Sequence, residues 1–208
     1  MPTVTAIGEG AALAEAARLG YPVALKSADP ELVHKTDIGA VRLNLADDAA
    51  VRTAYHAIAE ALADPQSPVL VQAMATGQVE LVAGIVHDQL FGSLVMVGLG
   101  GVHTELFADR AFRLVPMTDR DAGRMWRSLR AAPLLTGYGG SSPVNTTAVE
   151  DLLLRLGRLA EELPEVAELD LNPVLVSADG AIVVDAKMRL EEVGAEPDAV
   201  LRQLRTPS

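Results

Sequence analysis

The sequence predicts a mixed α/β chain in two lobes, and three observations predict it. Strands alternate with helices over residues 3–72, antiparallel apolar runs punctuated by glycine follow, and a long amphipathic helix leads into two β-branched runs that flank Asp179-Gly180, a strong hairpin signal. The 208 residues hold enough material for one large domain or two small lobes. Half the residues are hydrophobic but only 3% are aromatic, so the core must come from Val, Leu, Ala and Ile. The formal net charge of −11 argues against a nucleic-acid surface, which needs a basic patch. There is no cysteine, hence no disulfide framework and no thiol chemistry. The N-terminus lacks a basic segment followed by a long apolar run. The longest uncharged stretch, around Gln89 to Thr104, is Gly-rich and shorter than the ~20 residues of a spanning helix. A cytoplasmic protein without membrane or nucleic-acid partners is expected.

In chain order, Thr3–Ile7 predicts a strand, and Glu9–Leu19 an Ala-rich helix stopped by Gly20. Tyr21-Pro-Val-Ala-Leu-Lys26 predicts a strand that delivers Lys26, Asp29-Pro30 a turn, and His34 to Gly39 a polar loop. Val41–Leu45 predicts a strand with Val41, Leu43 and Leu45 inward. Asp47 or Asp48 caps a helix to about Ala63, and Val69–Gln72 is a buried strand. Val79–His87 and Leu94–Val97 read as antiparallel strands around Asp88 to Gly92, and Phe112–Val115 as another. Thr118 starts a helix to about Arg130, Gly137 to Pro143 is a loop, and Asn145 caps a helix to Leu163. Ala195–Arg205 reads as a terminal helix.

The hairpin carries the most chemistry. With Asp179 and Gly180 as its loop, Ala178 pairs with Ala181 and Asn172 with Lys187. Alternation then puts Asp170, Asn172, Asp185, Lys187 and Arg189 on one face, with Leu169, Leu171, Leu175, Ile182, Val184 and Met188 on the other. A four-residue loop keeps that parity; a three-residue bulged loop breaks it. Opposed or diagonal side chains in a sheet lie about 5–8 Å apart, so an Asn oxygen and an Asp carboxylate can share one hard cation such as magnesium. The alternative is an ordinary solvated face. Pro173 requires an edge or an irregularity in its strand.

Other residues hold paired readings. Of seventeen basic residues only Lys26, Lys35 and Lys187 are lysines, and a compact ammonium suits a point contact to phosphate. Lys26 before a mobile loop fits a polyphosphate contact or a plain surface lysine. Gly98-Leu-Gly-Gly101 fits a phosphate turn or a tight turn with no ligand. His34 is a possible phosphate-accepting nucleophile or a surface histidine, His56 is structural, and His87 and His103 are undecided. Glu80 either points outward or meets a hydroxyl. Glu105 and Asp109 pair most simply with Arg110 and Arg113.

Together, Tyr21 to Lys26, His34-Lys-Thr-Asp-Ile-Gly39, Phe91-Gly92, Val97 to Gly101, Glu168-Leu-Asp-Leu-Asn-Pro173 and Val184-Asp-Ala-Lys187 resemble, in order, the ATP-grasp domain of ADP-forming (NDP-forming) acyl-CoA synthetases, relatives of the succinyl-CoA synthetase β subunit. The resemblance runs from about residue 3 to 190. It implies two ATP-grasp lobes, 1–71 and 72–208, with nucleotide between them. The backbone at Gln72 and Met74 would read adenine, and Glu80 would hold the ribose. Lys26, Lys35 and Gly39, together with Gly100, Gly101 and Lys187, would contact nucleotide or phosphate. Asn172 and Asp185 would bind magnesium. Asp170 would lie near a phosphohistidine, and His34 matches a relay histidine. The reaction implied is phosphohistidine plus ADP to ATP, with a CoA-binding and phosphohistidine domain as partner. Ala40 departs from a usual glycine and Gly139 from a common arginine. With the absent partner domain, these departures leave an alternative: a nucleotide- or acyl-CoA-sensing module fused to a protein acetyltransferase.

Overall fold

The computed structural model describes residues 2–29, 32, 38–88, 90–101 and 108–192. The chain divides into two compact units that part between Thr76 and Gly77. Gln72, the expected start of the second lobe, lies inside a strand of the first unit. The terminal helix expected over 195–205 falls outside the described residues.

The first unit is one antiparallel sheet of β1 (Thr3–Ile7), β4 (Pro68–Ala73), β2 (Val23–Ser27) and β3 (Val41–Leu45), in that order, with α1 (Glu9–Leu19) and α2 (Asp48–Ala61) on one face. Its small-residue core explains how a chain so poor in aromatics packs. Ala12 and Ala16 of α1 and Val51, Ala54, Tyr55 and Ile58 of α2 close on Val23, Leu25, Val69 and Val71. The Asp47 side chain caps α2 by accepting from the Ala50 N–H at 2.8 Å. Leu43 is not inward, as alternation predicts, but 57% exposed. The β2–β3 register slips between Val23 and Leu25, and the extra residue reverses the alternation in β3.

The second unit is a sheet ordered β10 (Ala186–Leu190), β8 (Val166–Val176), β5 (Val79–Asp88), β6 (Gly92–Leu99) and β7 (Arg110–Leu114), with β9 (Ala181–Val183) also paired to β8. Helices α3 (Asp119–Arg127) and α5 (Thr146–Glu162) cover one face of this sheet. Trp126, Leu129, Leu153 and Leu156 pack there on Ile85, Val95 and Leu169. A capping box between Thr118 and Asp121 starts α3, and Asn145 caps α5. The short helix α4 (Ala132–Thr136) has no counterpart in the sequence reading. Among the described residues, Asp109 makes no ion pair with arginine. Its carboxylate accepts the N–H groups of Arg130 at 2.9 Å and Ala131 at 2.8 Å, which orients the chain entering α4. No described helix is long and apolar enough to cross a membrane.

Candidate functional site

The hairpin closes with a four-residue loop, Ser177 to Gly180, rather than two. Val176 pairs with Ala181, and the Ser177 N–H meets the Gly180 carbonyl at 2.9 Å. Each partner therefore shifts by two residues while the face is kept. Lys187 stands opposite Asp170, not Asn172, and Arg189 opposite Glu168. Asn172 faces Asp185, its N–H donating to the Asp185 carbonyl at 3.2 Å. The two proposed metal ligands are thus directly opposed, both exposed, on a face that no described helix covers.

Pro173 does not lie at an edge, since β8 runs between β5 and the β9–β10 strands. It is accommodated by an irregularity. The β5–β8 register slips between Leu81 and Ala83, opposite Asn172 and Pro173. The slip reverses the alternation beyond it. Val174 and Val176 enter the core instead of Leu175, and Ile182, opposite Leu175, is 41% exposed. Met188 keeps the expected side, opposite Leu169, but its strand is at the edge and it is half exposed.

Burial pushes the Asp170 carboxyl above its ordinary value, against the pull of Lys187 and Arg110 and with the push of Glu168 and Asp185. A carboxyl whose folded pKa is raised contributes stability below its unfolded value of 3.8, and this is lost as the pH rises through the folded value. Asp170→Asn is therefore expected to melt at a higher temperature than the wild type at neutral pH, with the difference closing as pH falls to about 4. Melting curves across that range check it.

The same face carries Glu80, Gly100 and Gly101. The Gly100 N–H donates to the Glu80 carbonyl at 2.8 Å. A Cβ at Gly100 would lie 2.8 Å from Glu80 Cγ, and one at Gly101 3.5 Å from its Oε2. The glycines thus make room for the Glu80 side chain, which explains the glycine pattern without a ligand and leaves the backbone close to that carboxylate.

In the first unit, Lys26 and Gln72 lie on the sheet face opposite the helices, across from Leu70 and Ala24 respectively. Gln72 is buried. The Met74 N–H donates to the Pro22 carbonyl at 3.2 Å, and the Ala73 N–H to that of Pro2 at 3.3 Å. Tyr21, beside Pro22, donates to Asp48, a bond that raises the tyrosine pKa to about 12. Gly39 turns the chain at φ +72°, and Arg42 holds its carbonyl at 2.7 Å. Sequence reasoning missed Arg42, because one arginine among fourteen carries no local signal. Ala40 is fully buried and its carbonyl accepts the Ser27 N–H at 2.9 Å, so its methyl group belongs to the packing. His34, Lys35, His103 and Glu105 lie outside the described residues.

Among the described residues, no three His, Cys, Asp or Glu side chains group to hold a metal. Asn172 and Asp185 offer two protein oxygens, and this sparse set fits magnesium, which takes its remaining ligands from water and phosphate.

Known proteins show what this arrangement is similar to. Residues 1–190 match the ATP-grasp domain family. The chain is 39% identical over 178 residues to the β subunit of acetate–CoA ligase (ADP-forming) I of Pyrococcus furiosus, covering 83% of this chain and 76% of that subunit. It is 40% identical over 180 residues to acetate–CoA ligase (ADP-forming) I of Archaeoglobus fulgidus, covering 84% of this chain but 26% of that protein. Among solved structures, dinucleotide-forming acetyl-coenzyme A synthetase 1 of Ca. Korarchaeum cryptofilum, with coenzyme A and Ca-AMPCP, superposes with a TM-score of 0.83 at 41% identity, over 91% of this chain and 86% of that one. Another structure of that enzyme holds Mg-AMPPCP, its phosphohistidine segment pointing towards the nucleotide site. It superposes with a TM-score of 0.78 at 43% identity, over 90% of this chain and 85% of that one. These likenesses agree with the two-sheet fold: the chain belongs to the ATP-grasp domain family, as the ATP-grasp part of the ADP-forming acetate–CoA ligases.

Proposed function

We propose that this chain is the nucleotide-binding, phosphoryl-transferring part of an ADP-forming acyl-CoA synthetase, working in the cytoplasm with a CoA-binding and phosphohistidine domain. The observation that carries this reading is the opposition of Asn172 and Asp185 beside Asp170 and Lys187 on an uncovered sheet face.

In the forward step a terminal oxygen of ADP attacks the phosphorus of phosphohistidine. The P–O bond forms as the P–N bond breaks, the P–N pair returns to the imidazole nitrogen, and that nitrogen takes up one proton. Asn172 Oδ1 and the Asp185 carboxylate would hold magnesium, which would supply positive charge to neutralise the phosphates. Lys187 sets an ammonium beside the transferring group. Asp170, the half-buried carboxyl opposite it, accepts from the incoming imidazole and orients it. Glu80 takes the ribose hydroxyls, with Gly100 and Gly101 beside it. In the first unit Lys26, Lys35 and Gly39 take phosphate oxygens, and the chain from Gln72 to Met74 lies along the adenine. The Ala73 and Met74 N–H groups are already engaged, with the Pro2 and Pro22 carbonyls. His34 relays the phosphoryl group.

The test is direct. Incubated with γ-labelled ATP and magnesium, the chain is expected to take up acid-labile label, and His34→Ala is expected to take up none. Binding of ATP without any label overturns the relay role of His34. Failure to bind magnesium–ATP at all overturns the whole reading.

A further inference from the structure

The face that carries Asp170 also carries a cation on its far side. Arg110 of β7 stands opposite Gly98 of β6, and Gly98 stands opposite Val82 of β5. One row along the strands, Phe112, Met96, Gly84 and Asp170 face one another in turn. Arg110 and the Asn172–Asp185 pair therefore lie at the two sides of one strip, roughly 14 Å apart by backbone, three strand spacings. The arginine stem leads into that strip. It lies over Gly98: a Cβ there would come within 2.9 Å of Arg110 Cγ and 2.8 Å of the Asp109 carbonyl. Gly98 makes room for the arginine stem, which runs there towards buried Val82, whose Cγ1 would lie 3.3 Å from the same Cβ.

Three other arginines of this unit are placed differently. Arg189, on the same face, pairs with Glu168 and Glu191. Arg127 stacks on Trp126 and pairs with Glu150. Arg113 lies opposite the core residue Val95, so it alternates to the helix side. Arg110 is exposed and, among the described residues, makes no ion pair. A guanidinium with no ion pair among the described residues, on a strip that ends in two acids and an amide, is placed to meet an anion arriving there.

We infer that Arg110 is a further phosphate-contacting residue, meeting the phosphoryl group in transit from the side opposite Lys187. The inference rests on the phosphoryl-transfer reading above. In transit the phosphoryl group carries charge on its three equatorial oxygens, and a second fixed cation stabilises that charge without changing the bonds made and broken. A fork of N–H donors can take two of those oxygens at once, which an ammonium cannot.

The experiment compares Arg110→Ala, Arg110→Lys and Arg155→Ala in the full chain. Arg155 is an exposed helix residue paired with Asp151 and serves as the control. Affinities for magnesium–ATP and magnesium–ADP are measured by titration calorimetry, alongside melting temperatures. Arg110→Ala is expected to weaken ATP about tenfold, with ADP and the melting temperature unchanged. Arg110→Lys should recover part of the loss, and Arg155→Ala should match the wild type. If Arg110→Ala binds ATP as tightly as the wild type, or loses ATP and ADP equally, the inference is overturned while the function stands. If the wild type binds neither nucleotide, the function itself fails and takes Arg110 with it.

Discussion

Asp185→Asn is expected to weaken magnesium-dependent ATP binding by roughly 100-fold or more while leaving the melting temperature near that of the wild type. Asp185 is exposed, and the contact it makes in the fold is through its backbone carbonyl, which the substitution keeps. What is lost is one unit of negative charge at a two-ligand site. Even outer-shell partners of a metal typically contribute 10–100-fold to affinity, and a ligand itself should contribute at least the upper part of that range. Titrating ATP with and without magnesium separates the effects. Binding in the absence of the ion should barely change, and the enhancement by magnesium should disappear. Curves that overlay those of the wild type would remove Asp185 from the metal site.

Gly84→Ala is expected to be the most damaging single substitution for stability. A Cβ at this position would lie 2.1 Å from the Leu169 carbonyl oxygen, a backbone atom that cannot rotate away. Strands β5 and β8 would have to separate at the centre of the second unit's sheet, where Ile85 and Leu169 form its core. Overpacking a well-packed core costs about 1–3 kcal/mol, and a collision with backbone this close belongs at or above the top of that range. Because Gly84 stands opposite Asp170, the same displacement moves the site. Chemical denaturation with phosphoryl-transfer assays checks both, and stability and activity should fall together. A variant of wild-type stability would mean that the two strands need not approach so closely.

Local chemistry made much of this architecture legible. Helix starts at Asp47, Thr118 and Asn145 are visible because an oxygen-bearing side chain must satisfy the first N–H groups. The β5–β6 turn is visible for a similar reason, since Asp88 accepts the N–H groups of Leu90 and Phe91. The grouping of Asp170, Asn172, Asp185 and Lys187 on one face was legible too, because a loop longer by two residues leaves side-chain parity intact.

What stayed hidden depends on contacts between distant segments. Pro173 announces an edge or an irregularity in β8 but not which of the two, and the slip opposite Val82 misassigned Leu175 and Ile182. The slip in β3 did the same to Leu43. Helix α4 is too short to show a period, and its entry is set by Asp109, more than twenty residues away. Arg42 and Arg110 were invisible because an arginine's role depends on where its long stem leads.

The four-residue turn at 177–180 has a consequence for the history of this hairpin. Lengthening or shortening it by a single residue would swing Asp185 and Lys187 of the returning strand onto the greasy side and bury charge, whereas a change of two would preserve both sides. Descendants of this hairpin should therefore differ in turn length by even steps, so that the Asn172–Asp185 opposition and the hydrophobic anchor are inherited together or not at all.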